Sequence, residues 1–102
     1  MITIVRPNDF IKPSRLVARG WCRGVHARDA YGEKCKRITD ANVSRVDLIG
    51  ALNLARVKGY PVPVDAIWRL QRAADTESLT EWNDYPRRVQ TQVVDLLESV
   101  GL

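Results

Sequence analysis

Between Thr39 and Gly59 the chain reads TDANVSRVDLIGALNLARVKG, and its apolar residues Val43, Val46, Ile49, Leu52 (or Ala51) and Ala55 recur at three- and four-residue steps. This recurrence is the tightest constraint in the sequence. Only a helix gathers such positions into one stripe, and an apolar stripe must be buried against another element. Thr39 or Asp40 is placed to cap the helix and Gly59 to end it. Gly50, inside it, costs about 1 kcal/mol relative to Ala, which implies a neighbour pressed against the backbone.

Three other segments show the same period. In NDFIKPSRLVARGWCRG, Asn8, Asp9 or Ser14 is a candidate cap, Pro13 suits a first turn, and Leu16, Val17, Gly20 and Trp21 share a face until Gly24 stops the helix. After the extended connector YPVPV, DAIWRLQRAAD opens at Asp65 or just before it. Its face holds Ile67, Leu70 and Ala74 or Ala73, with Trp68 adjoining. The last helix follows a turn at DTES. Asn83 or Asp84 is its candidate cap, Pro86 lies in its first turn, and Val89, Val93, Leu96, Leu97 and Val100 form its stripe. VHARDAYGEKCKRI has no helical period and carries a turn signal at Gly32. The expected fold is mainly α: a compact four-helix domain with a small β-hairpin or ordered loop between the first two helices.

A chain of 102 residues has material for one core. The expected organisation is a single domain, with residues 1–12 as an N-terminal arm and 13–102 as the helical core. The opening MITIVRPNDF is interrupted by Arg6 and Pro7 and lacks a signal-peptide core, and no run approaches the roughly 20 apolar residues of a membrane span. A cytoplasmic location without membrane contact is therefore expected. Cys22 and Cys35 are too few for a disulfide framework and are expected as thiols.

Net charge is +4, unevenly distributed. Residues 1–58 hold eight Arg and four Lys against four Asp and one Glu, giving +7, whereas residues 59–102 hold four Arg against four Asp and three Glu, giving −3. Arg15, Arg19 and Arg23 follow one another at four-residue steps, and Arg28, Lys34, Lys36 and Arg37 extend the basic region. On one helix face such a row repels itself by a few tenths of a kcal/mol per pair, so acidic neighbours or an external anion must offset it. A protein partner with an acidic surface would do so, and so would a nucleotide or nucleic acid held by Arg forks. The alternative is an ordinary solvated face.

Two short stretches invite chemistry. RGWCRGVHARD collects Trp21, Cys22, His26 and Asp29. Cys22 and His26, with Cys35 and Asp29, include the donor types of a zinc site but none of its tight CxxC spacing, so no metal or other cofactor is expected. Cys22, His26 and Asp29 can also be cast as nucleophile, base and orienting group, but a Cys beside a Trp reads more simply as a buried packing residue. In EWNDYP, Trp82 reads as a lid over a helix start. Alternatively Asn83, Asp84 and Tyr85 line a polar pocket closed by Trp82.

GWCRGVHARDAYGE, IGALNLA and EWNDYPRRVQTQVVDLLE, taken in order, resemble the landmarks of a family of small bacterial and phage-encoded domains of unknown function, over roughly residues 14–98. The resemblance implies a compact, mainly helical domain of bacterial, plasmid or prophage origin, and that Trp21, Cys22, Asp29, Asn83 and Asp84 belong to one arrangement. Val25 and His26 depart from the small residues expected there, so it implies no role for His26. The leading expectation is a small non-enzymatic binding protein, an inhibitor or adaptor, engaging a macromolecule, most simply a protein. Its binding residues would be Arg15, Arg19, Arg23, Arg28, Asp29, Trp82, Asn83, Asp84 and Tyr85. Nucleotide or nucleic-acid binding, with Trp82 or Tyr85 stacking on a base, is the alternative, and a Cys/His enzyme the third.

Overall fold

Residues 11–102 are described by the computed structural model. The candidate caps Asn8 and Asp9, and nearly all of the expected arm, lie outside them. The described residues form five helices and two short strands. These are α1 (Pro13–Arg19), β1 (Ala27–Arg28), β2 (Arg45–Val46), α2 (Leu48–Val57), α3 (Ala66–Ala74), α4 (Leu79–Asp84) and α5 (Gln90–Ser99). The expectation of a mainly helical domain with a small antiparallel β element holds; the expected count of four helices does not.

Leu16 and Val17 of α1 are buried against α5 and α2, so this short helix is the centre of the core. Leu48, Ala51, Leu52 and Ala55 of α2 and Val93, Leu96 and Leu97 of α5 surround it. Ala66 and Leu70 of α3 and Leu79 of α4 extend the same cluster. Full burial of a Leu or Val side chain contributes about 1.5–3 kcal/mol, so these stripes set which way each helix faces.

Several boundaries differ from those read off the sequence, each for a local reason. α1 ends at Gly20, not Gly24. Gly20 is fully extended, its C=O accepts from Val46 N–H at 3.0 Å, and Cys22 N–H donates back to Val46 O at 3.1 Å. A Cβ at Gly20 would overlap the Ser44 carbonyl oxygen, so the missing side chain lets the two backbones pair and draws the chain out of the helix. Trp21 and Arg23 therefore lie beyond α1. The N-cap is Lys12, without a side-chain cap bond; Ser14 is buried inside the first turn. Gly24, with φ of 80°, makes the turn that follows.

Residues 39–46, expected as helix, instead form turns and β2. Asp40 accepts from Arg37 N–H at 3.0 Å, and β2 pairs with β1 through Ala27↔Val46 and Arg28↔Arg45. The ordered turn at 29–33 does form, with an antiparallel bridge between Arg28 and Lys34. α2 begins only at Asp47, whose Oδ1 accepts from Gly50 N–H at 2.6 Å. The neighbour implied at Gly50 is present: a Cβ there would overlap the His26 carbonyl oxygen.

On α3 the buried positions are Ala66 and Leu70, with Ala74 partly buried, while Ile67 and Trp68 are exposed. The largest difference concerns EWNDYP. Ser78 Oγ accepts from Glu81 N–H at 3.2 Å and starts α4, so Asn83 and Asp84 end one helix instead of capping the next. Pro86 holds Tyr85 out of the helical region, at ψ of 130°, and stops α4. α5 starts at Val89, whose N–H donates to Gln92 Oε1 at 3.1 Å.

Candidate functional site

Placing Asn83 at the end of α4 makes it a hub. It is fully buried, and its Oδ1 accepts from Trp21 Nε1–H at 2.8 Å and from Leu48 N–H at 3.1 Å. Its Nδ2 donates to Cys22 O at 3.2 Å and to Asp84 Oδ1 at 2.9 Å. Asp84 Oδ1 also accepts from Gly24 N–H at 3.0 Å. One amide thereby ties α4 to the segment after α1 and to the free N–H of the first residue of α2, with both donors and both acceptor lone pairs used. Trp21, Cys22, Asn83 and Asp84 do form the single arrangement that the resemblance implied. Asp29 stands apart: its Oδ1 accepts from Tyr31 and Glu33 N–H at 2.9 Å and shapes its own turn.

Beside the hub runs an open groove bordered by Trp21, Arg23, Arg28, Arg45 and Arg88, with Val89 and Gln90 at the start of α5 as the far wall. Three of the four guanidiniums are held by backbone carbonyls. Arg23 Nη2 donates to Arg88 O. Arg28 donates to Gly32 O at 2.9 Å and Arg23 O at 3.1 Å, and Arg88 Nε to Trp82 O at 2.8 Å. Arg23 also lies over the Trp21 ring at 4.8 Å, and Arg88 over Trp82 at 3.7 Å. Arg28 and Arg45 stand directly opposite across the β ladder, an unfavourable like-charge pair. Among the described residues no carboxylate lines this groove.

A second cleft, of about 660 Å³, is lined by His26, Lys34, Cys35, Lys36, Arg37 and Asp47 among others. His26 Nδ1 lies 3.0 Å from Asp47 Oδ2 and 3.2 Å from Oδ1. The imidazole is half exposed and the carboxylate buried. Burial pushes the Asp47 carboxyl above its ordinary value, against the opposing pull of the Gly50 N–H and His26. His26 O meanwhile accepts from Asp47 N–H at 3.2 Å, so this residue clamps its loop onto the start of α2.

Cys22 does not join His26. Its Sγ lies 3.4 Å from Val25 O, and burial, reinforced by Asp47, pushes the thiol up to about 11, far from the thiolate a nucleophile requires. Among the described residues no three His, Cys, Asp or Glu side chains are grouped to hold a metal ion.

The sequence-derived binding residues thus divide. Arg15 and Arg19 are exposed on α1, and Arg19 shares a small groove with Lys58. Arg23 and Arg28 meet in the arginine groove. Trp82 is partly buried under Arg88, Tyr85 is about half exposed, and Asn83 has no free donor or acceptor for a ligand. The sequence pattern singles out neither Arg45 nor Arg88. The alternation SRVD carries a weak strand signal that would have turned Arg45 outward, whereas nothing local marks Arg88.

Residues 14–101 match the model of a family of unknown function, DUF6197. The chain belongs to that family. The DUF6197 match covers every helix except the first residue of α1. No curated protein and no solved structure matches the chain. Among the described residues no helix is long and apolar enough to cross a membrane.

Proposed function

We propose that this DUF6197 protein is a small non-enzymatic binding domain that engages a protein partner with an acidic surface through the basic surface of residues 11–58. The observation that carries this reading is how the charges of that region are used. Asp29, Asp40 and Asp47 are turned onto backbone N–H groups, as turn and helix caps. The exposed cations Arg15, Arg19, Lys34, Lys36, Arg37 and Arg45 have no carboxylate within ion-pair distance among the described residues. With these three aspartates occupied and the exposed Glu33 as the one free acid among the described residues of this region, the surface keeps a net positive field, which steers an acidic partner and accelerates encounter. A role as inhibitor or adaptor in a bacterium or phage accords with the origin that the sequence resemblance implies.

The test is affinity capture from a bacterial extract with the wild-type protein and with a Lys34→Glu/Lys36→Glu/Arg37→Glu variant, followed by association kinetics on the captured partner. The expected result is an acidic partner held by the wild type, lost by the variant, with an association rate that falls as salt rises. A partner held equally by both proteins, at a salt-independent rate, would sink the proposal.

A further inference from the structure

We infer that the groove between the β ladder and the start of α5 is a binding site for a phosphate monoester, with Arg23, Arg28, Arg45 and Arg88 as its ligands. Four observations converge on it. Four guanidiniums border one groove, and no carboxylate among the described residues lines it. Three of them are fixed by main-chain carbonyls, so they are oriented before any ligand arrives, which lowers the entropic cost of binding. Arg23 Nε is buried and has no hydrogen-bond partner among the described residues, so the fold supplies no acceptor to offset that edge of the guanidinium. The fourth is the N-terminus of α5: Val89 and Gln90 form the far wall, and the positive end of the helix dipole adds to the cationic field.

Arginine forks match the paired oxygens of a phosphate, and a dianion meets this density of positive charge better than a single carboxylate does. The unfavourable Arg28–Arg45 pair then has a physical reason, since an anion between two guanidiniums reverses the sign of their interaction. Because the groove is open along one side, it suits a phosphate at the end of a larger molecule, either a nucleotide or a phosphorylated side chain. The site shares Arg45 with the acidic-partner surface, but the two tests are separable, because the partner test alters only Lys34, Lys36 and Arg37, none of which lines this groove.

The experiment is an NMR titration of the 15N-labelled protein, following the arginine Nε–Hε signals as inorganic phosphate is added in a low-salt buffer. The expected result is saturable movement of the Arg23, Arg28, Arg45 and Arg88 signals, with a dissociation constant of about 1 mM or tighter. The Arg45 side chain has no hydrogen bond or ion pair among the described residues, and Gln keeps the backbone ladder, so Arg45→Gln spares the fold, and it should weaken binding about tenfold. Arg56→Gln removes the same charge from α2, outside the groove, and should leave affinity unchanged. AMP and phosphoserine, titrated in parallel, distinguish the two sources: each should bind, and the tighter one names the ligand. A uniform drift of all arginine signals, equal losses in the two variants, or acetate binding as tightly as phosphate would overturn the assignment.

Discussion

The hub at Asn83 and the arginine groove beside it are made from neighbouring stretches of chain, yet they treat polar groups in opposite ways. At the hub every donor and acceptor of a buried amide is matched, by Trp21, Leu48, Cys22 and Asp84. In the groove four cations converge, two directly opposed, and one buried donor has no partner. A fully matched network stabilises a fold, whereas an unmatched one costs stability and leaves binding capacity. The contrast separates what holds this protein together from what is available to a ligand.

The largest test of that contrast is Asn83→Ala. It removes four hydrogen bonds at once and strands Leu48 N–H, Cys22 O and the Trp21 indole, for an expected loss of about 4 kcal/mol in urea unfolding. A loss below about 1 kcal/mol would show that the network is replaceable by water and would dissolve the distinction.

Asp47 comes next. Asp47→Ala removes the α2 cap and the carboxylate contact with the His26 ring, while keeping the backbone bond to His26 O, and should cost about 2 kcal/mol. Asp47→Asn keeps an oxygen for the cap and changes the pH dependence. Because folding raises this carboxyl, its favourable contribution is fully present below the ordinary carboxylate range and is lost as pH rises through the raised value. The Asn variant should therefore gain stability relative to wild type as pH rises from below the ordinary carboxyl value of 3.8 through the raised one. A constant difference across that range would mean that the Gly50 and His26 bonds fully offset burial.

On the groove side the effects should be small. Arg45→Gln relieves a cross-strand repulsion and should shift stability by no more than about 0.5 kcal/mol, towards greater stability. A clear destabilisation would place Arg45 with the structural residues. The smallest perturbation leaves the fold unchanged: under native conditions near neutral pH a thiol reagent should modify Cys35 first. Cys22, buried and raised to about 11, should react only on unfolding. As a raised group, Cys22 favours the fold fully below its ordinary value of 9.0, and that contribution fades as pH climbs through about 11. Equal native reactivity of the two thiols would mean that the hub opens readily.

Residue patterns already specified much of this. The three- and four-residue recurrences located the cores of α2, α3 and α5, the Gly50 contact was implied by a glycine inside a helix, and Trp21 was legible as a packing residue. EWNDYP is ambiguous by itself because both a helix start and a helix end accept Asn and Asp, and only the neighbours of Asn83 decide between them. The Arg15–Arg19–Arg23 row failed for a related reason: helical spacing continued through Gly20, but pairing with Val46 pulled Trp21 and Arg23 away.

The sequence by itself determined the mainly helical class, the burial stripes and the basic first half, because periodicity and charge count are local and additive. The tertiary structure alone decided which arginines converge and which polar groups are consumed. Trp21 and Asn83 are 62 residues apart, and Arg28 and Arg45 meet only once a two-residue ladder closes. Contacts of that range depend on how helices pack and where backbones pair, and no window along the chain contains both partners.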